Sequence, residues 1–359
     1  MIPSRPASRS GIRNCLSAVP AALLLATVGF PRAGVAETPK PGAGILQCWS
    51  PAALTVKPGE PLIRHRARGS RVDIPVLAST LPPVLEPLRG SIRRVDLPPG
   101  RKLVALTFDL CETANEIAGY DGRVVDILRR QGVKATFFAG GHWMLTHGSR
   151  AAQLVADPRF ELGNHSWTHA KLRLLSGKPL AEQILKPQAA YARVRASLAE
   201  NRCVVARSAG LKAVPAQMKL FRFPFGSCSP RALDAVADAG LLSIQWDVAT
   251  GDPARGQSAK RIVATVLRQV RPGSIVLAHA NGRGWHTARA LPAIIDKLKA
   301  RGYEFVTVSE LLAAGTPVIA KTCYDHKPGD TLAYEGSRRK SAAPKKIASR
   351  KPHARPFHR

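Results

Sequence analysis

The sequence predicts an α/β fold built on parallel strands. Three observations carry this. Short β-rich apolar runs alternate with amphipathic helical stretches from Lys102 to about Ala314. Polar residues recur at the ends of those runs. Gly132, Gly240 and Gly302 each follow a helical stretch, where a left-handed terminal residue is expected. Alternation of this kind implies either a barrel or a doubly wound sheet.

Taken in order, the strand candidates are Leu103–Asp109, Lys134–Gly140, Phe160–Ser166, Leu220–Phe225, Leu241–Val248, Ser274–Ala280 and Glu304–Ser309. Between them lie the helical candidates Arg123–Gln131, Ser149–Ala156, Leu180–Leu198, Pro230–Ala239, Ala259–Val270 and Thr287–Arg301. Residues 201–219 read as an inserted loop. Residues 37–100, rich in Pro and Arg with short apolar runs such as Val72–Leu77, read as an N-terminal extension with two strands. The expected organisation is therefore a segment 1–36, an extension 37–100, a main domain 101–315, a C-terminal extension 316–335 and a tail 336–359.

The two ends differ from the body. Arg5, Arg9 and Arg13 precede an apolar run from Ala18 to Phe30, followed by small residues at Gly34 and Ala36. Charged region, apolar region and small-residue site in that order predict an export signal cleaved near Ala36, and a periplasmic or secreted mature protein. The run is short for a membrane span and no second one follows, so no transmembrane segment is expected in the mature chain. The tail from Gly336 holds nine Lys or Arg and no acid, and its Arg/Lys/Ser/Ala/Pro composition predicts disorder.

The whole chain has 54 Lys+Arg against 24 Asp+Glu, a net +30; without both ends, 41 basic residues still face all 24 acids. Such a surface suits an anionic partner, and the basic tail suits an anionic cell-envelope surface. No helix-turn-helix, RNA-recognition or zinc-finger pattern occurs, so nucleic acid is not expected.

In an α/β fold of either kind, chemistry sits at the C-terminal ends of the strands. Asp109, His165, Phe225, Asp247 and His279 all fall near such ends. In NHSWTH, His165 and His169 are four apart, a spacing that on a helical turn lets two imidazoles grip one divalent ion. Arg222 lies inside the run FRFPFG and needs a carboxylate partner if buried. Pro224 and Gly226 set an unusual backbone path at Phe225. One acid, one arginine, one histidine and a histidine pair on one rim suit a metallohydrolase.

The ordered motifs TFD (Thr107–Asp109), H-S-x-x-H (His165–His169), R-x-P-x-G (Arg222–Gly226) and L-x-H (Leu277–His279) resemble those of the polysaccharide deacetylases, a carbohydrate esterase family. The closing stretch Ala290–Leu312 resembles that family's last helix and strand. The resemblance implies a distorted (β/α)7 barrel that hydrolyses acetyl groups from an N-acetylated poly- or oligosaccharide of peptidoglycan or chitin type. It implies Asp109 as general base, Arg222 as its ionic partner and His165 and His169 as metal ligands. It implies the Phe225 backbone N–H as an oxyanion donor and His279 as general acid. Asp252, with Asp247 as its rival, would tune His279, and Trp246 and Leu277 would line an acetyl pocket. Trp285 offers a flat face to a sugar ring.

One position departs from the family. Its pattern is TFDD, whose second Asp is the third metal ligand; here Leu110 occupies that place and cannot ligate. Glu112 is the candidate replacement, with Asp109 itself and Asp121 as other options. Zinc is the default ion for such ligands, while cobalt, nickel or iron also suit them. Two further readings stay open: a metal-free glycan-binding relative, and an O-acetyl esterase using the same parts. Of the cysteines that survive signal cleavage, Cys111 and Cys228 are expected to pair at the rim and Cys48 with Cys323, leaving Cys203 free.

Overall fold

The computed structural model describes residues 43–67 and 72–332. The expected signal segment and the expected disordered basic tail lie outside them. In chain order the strands are β1 (Arg64–His65), β2 (Ser91–Asp96), β3 (Leu103–Leu110), β4 (Glu116–Ile117), β5 (Ala135–Ala139), β6 (Phe160–Asn164), β7 (Leu220–Phe221), β8 (Leu242–Ile244), β9 (Val248–Ala249), β10 (Ile275–His279), β11 (Glu304–Phe305) and β12 (Thr316–Ala320).

The large sheet runs β12-β2-β8-β7-β6-β5-β3-β10-β9, with β11 also paired to β3. All its pairings are parallel except β12 on β2. Val95 N–H donates to Gly273 O just before β10, so the sheet curls back toward its own edge. The fold is thus a distorted (β/α)7 barrel. Each of the seven strand candidates contains a strand, and the fifth breaks into β8 and β9 at Gln245–Asp247.

The six expected helices are present as Gly122–Arg130, Gly148–Val155, Gly177–Ala199, Pro230–Asp238, Ala259–Gln269 and Thr287–Ala300. Gly132, Gly240 and Gly302 take φ of 64°, 76° and 81°, a region costly for residues with a Cβ.

Parallel strands covered on both faces read as unbroken apolar runs, and β3 (LVALTFDL) is buried along its whole length. Its two faces nonetheless differ. Val104, Leu106, Phe108 and Leu110 join the large cluster packed with helical residues such as Val124, Leu128 and Ile295. Leu103 and Ala105 join the barrel's inner cluster with Ile92, Ile244, Trp246, Ile275 and Leu277. Alternation by two therefore aims Thr107 and Asp109 inward and Leu110 outward.

The extension holds the two strands expected of it, β1, paired antiparallel with β4, and β2, part of the large sheet, and the run Val72–Leu77 lies in neither. Two expectations need correction. The insert at 201–219 holds short helices at Arg202–Val205 and Ser208–Lys212. The disulfides are Cys48–Cys203 and Cys228–Cys323, and Cys111 is free and buried. The physical reasons for the pairing are contacts between distant parts of the chain. The helix Ala43–Leu46 sits on the insert, where Ile45 leaves room only for Gly210. Beyond β12 the chain crosses toward β8: Tyr324 O and Asp325 O accept from Arg93, and Asp325 accepts from Trp246 Nε1 at 3.0 Å. That path brings Cys323 to Cys228.

Candidate active site

The site grows from two neighbouring strand ends. β3 and β10 run parallel with His279 opposite Asp109. Asp109 is buried, and Arg222 Nη1 donates to its Oδ1 at 2.8 Å. Arg222 is itself fully buried. It also donates to Thr107 Oγ1 (2.8 Å), Ile244 O (3.3 Å) and Gln245 O (3.2 Å), and its guanidinium lies 3.9 Å from the Phe138 ring centroid. Burial pushes the Asp109 carboxyl up, but His165, Arg222 and His279 together hold it below the usual carboxylate range.

His279 ends β10 with Nδ1 2.9 Å from Asp252 Oδ1. An ionised carboxylate only accepts, so Nδ1 carries the hydrogen and Nε2 is left for other partners. Asp252 also accepts from His279 N (2.7 Å) and Thr287 Oγ1 (2.5 Å). Burial disfavours the imidazolium, yet Asp252, with help from Asp109, raises the His279 pKa above its ordinary value. Asp247, the rival for this role, is not brought to the site. It accepts from Ser274 Oγ and Ile275 N, both at 2.9 Å, at the opposite end of β10.

His165 and His169 follow β6, with ring centroids 5.0 Å apart. They are not on a helical turn. Ser166 and His169 take φ of 66° and 52°, and with Phe225 (φ 61°) they are the positive-φ non-glycine residues among the described residues. All three lie in this cluster, where stored backbone strain commonly marks function. His165 Nδ1 stands 3.0 Å from Arg222 O; a carbonyl only accepts, so the Nε2 lone pair faces the cluster. That Nε2 is buried and has no hydrogen-bond partner; Asp109 Oδ2 is 3.4 Å away. Burial lowers the pKa of both histidines and so favours the neutral imidazole, the form in which a histidine can hold a metal.

Glu112 is not with these histidines. It is buried against the extension, accepting from Arg66, Thr146 Oγ1 (2.7 Å) and Ala118 N (3.0 Å). Asp121 is likewise elsewhere, bound to Arg123 and capping the helix that begins at Gly122. The group that does converge is Cys111, His165 and His169, whose potential ligand atoms all lie within 4.8 Å of one another. No motif flags Cys111. The β alternation does: it shares its parity with Asp109, while Leu110 points into the helix layer.

The Phe225 backbone turn lies beside His169, ring centroids 4.4 Å apart. Trp246 and Leu277 belong to the inner cluster; Leu277 is two residues before His279 on the same face. Trp285 is 43% exposed, with Arg255 stacked 4.5 Å from its ring centroid. Its backbone N–H donates to Asp252 O at 3.2 Å, so this exposed ring is tied to the loop that carries the His279 partner.

Comparison with known proteins agrees with the geometry. A family model described as polysaccharide deacetylase matches residues 96–244. The chain is 31% identical over 225 residues to a chitooligosaccharide deacetylase of Bradyrhizobium, covering 59% of this chain and 91% of that one. It is 31% identical over 230 residues to a peptidoglycan-N-acetylglucosamine deacetylase of Listeria monocytogenes, covering 62% of this chain but only 42% of that protein's length. A solved peptidoglycan N-acetylglucosamine deacetylase superposes with TM-score 0.51 at 26% identity, covering 62% of this chain and 92% of the other. A mutant of a Bacillus anthracis family 4 carbohydrate esterase pseudoenzyme, with restored activity, gives TM-score 0.50 at 29% identity, covering 62% and 71%.

Proposed function

We propose, because this chain belongs to the polysaccharide deacetylase family, that it hydrolyses acetyl groups from an N-acetylated poly- or oligosaccharide of peptidoglycan or chitin class. The observation that carries this is the convergence of two oriented pairs, Asp109–Arg222 and Asp252–His279, on adjacent strand ends. Next to them lies a buried imidazole nitrogen without a partner.

The donor set fits a divalent ion. Neutral His165 and His169 would hold it, and in that place it supplies Lewis acidity toward the acetyl carbonyl and the attacking water. Asp109, kept ionised by Arg222, accepts the proton of that water as the new C–O bond forms. The Phe225 backbone N–H faces the developing oxyanion, a donor of a kind worth about 3 kcal/mol. His279, with Nδ1 fixed by Asp252, delivers a proton from Nε2 to the amine as the C–N bond breaks. Each proton-transfer group of this kind typically contributes about 10²–10⁴-fold. Trp246 and Leu277 line the space for the acetyl methyl, and Trp285 offers a face on which a sugar ring stacks. Zinc is the ion this site suits first, with cobalt, nickel and iron next.

We place this activity outside the cytoplasm after cleavage near Ala36, with the basic tail from Gly336 drawing the enzyme to an anionic envelope surface. Acetate release from N-acetylated oligosaccharides, with Asp109→Asn and His279→Ala as controls, tests the activity. A protein that binds the sugar but releases no acetate in any metal would instead be a glycan-binding relative. Leu110 in the motif is the observation that favours that second reading. Release from O-acetylated sugars alone would mark an O-acetyl esterase.

A further inference from the structure

We infer that Cys111 is the third protein ligand of the metal centre, giving a Cys–His–His site in which a thiolate stands where relatives carry a carboxylate. This rests on reading the site as a metal-holding hydrolase.

Four observations support it. Leu110 is committed to the outer face of β3, so the chain supplies no carboxylate at the motif position. Cys111, next in line, returns to the Asp109 face, and its Sγ lies within 4.8 Å of the ligand nitrogens of His165 and His169. Tetrahedral bonds of about 2.0–2.3 Å place ligand atoms roughly 3.3–3.7 Å apart, so small side-chain shifts close the set. The buried, unpartnered His165 Nε2 belongs to the same cluster. Finally, Asn281 Nδ2 donates to Cys111 Sγ at 2.9 Å and to Cys111 O at 2.7 Å. An amide N–H on the sulfur fixes its orientation, as outer partners of metal ligands do; without a cation, burial and Asp109 push the thiol up to about 12.

The chemistry balances without redox change. The Cys111 S–H bond breaks, its proton leaves to solvent, and the sulfur lone pair forms the metal bond. One thiolate contributes the same single negative charge as one carboxylate, so the net charge of the site is conserved. What changes is softness: a sulfur ligand moves selectivity toward zinc and cobalt and away from magnesium and manganese. Cys111 is also the cysteine among the described residues that the disulfides leave free.

The test is cobalt titration of metal-stripped full-length protein, followed by absorption spectroscopy. The expected result is one equivalent of Co²⁺ with a near-ultraviolet sulfur-to-cobalt charge-transfer band, absent in Cys111→Ser. That variant should bind cobalt more weakly by more than the roughly 10–100-fold that loss of an outer partner costs. Cys111→Asp should recover affinity without the band. The charge-transfer band of the unmutated protein, displaced when zinc replaces cobalt, is a readout that needs no variant to fold.

One equivalent of cobalt that depends on His165, with no charge-transfer band and full affinity in Cys111→Ser, would overturn the inference and leave the deacetylase reading standing. No cobalt binding at all would also overturn it. A thiolate–cobalt band in a protein that releases no acetate would uphold the ligand and remove the deacetylase reading instead.

Discussion

Replacing Arg222 by Met tests how the barrel interior holds its acid. The guanidinium is fully buried and makes four hydrogen bonds, one to a carboxylate. Met fills much of the volume beside Phe138 but leaves Asp109 as a buried charge without its ionic partner. Removing one member of a buried pair costs about 3–5 kcal/mol. Part of this is relieved if Asp109 takes up a proton, so we expect a loss of about 3–4 kcal/mol. Arg222→Met combined with Asp109→Asn removes both charges together. The double variant should therefore be less destabilised than the sum of the single ones, with a coupling of about 1–3 kcal/mol. Urea unfolding under non-reducing conditions, followed by fluorescence and circular dichroism, gives these values from the midpoints at a common slope. A single variant within about 1 kcal/mol of the parent, or additive effects in the pair, would show that Arg222 is not what stabilises ionised Asp109.

The other expectations are more local. Breaking Cys228–Cys323, which closes a 95-residue separation, should cost up to about 4.7 kcal/mol by loop entropy, seen as a lower Tm in Cys323→Ala. Asp252→Asn should lower kcat by about 10²–10⁴-fold with bound metal unchanged, because His279 loses the acceptor that fixes Nδ1. Asp247→Asn, at the far end of β10, should instead lower stability and leave kcat near that of the parent. Trp285→Ala should raise KM for longer oligosaccharides with kcat and stability little changed, within about 0.5 kcal/mol for an exposed ring. A fall in kcat with KM unchanged would remove the sugar platform.

Much of the fold was legible because parallel strands buried on both faces leave unbroken apolar runs, as β3, β5 and β10 do. Left-handed glycines marked helix ends for the same local reason. β12 and the crossing segment beyond it were not legible. Their placement depends on antiparallel pairing with β2 and on contacts of Arg93 and Trp246 with residues more than seventy positions away. Disulfide pairing followed that long-range path, so spacing alone misassigned it. Within the site, strand ends located Asp109 and His279, but they also pointed to Asp247, and it was the family resemblance that preferred Asp252. The short strand β9 (Val248–Ala249) separates the two acids, leaving Asp247 at the start of β10 and Asp252 at its end. Glu112 looked available because its partner, Arg66, comes from the extension 46 residues earlier. Cys111 was legible in principle from strand parity, although a cysteine after a strand also reads as half of a disulfide.

The most direct measurement is the stoichiometry of acetate and free amine released from a defined N-acetylglucosamine oligosaccharide by zinc- or cobalt-loaded protein. Catalytic, one-to-one release that is lost in Asp109→Asn is the expected result. Tight sugar binding with no acetate released by either metal form would contradict the assignment of this site to deacetylation.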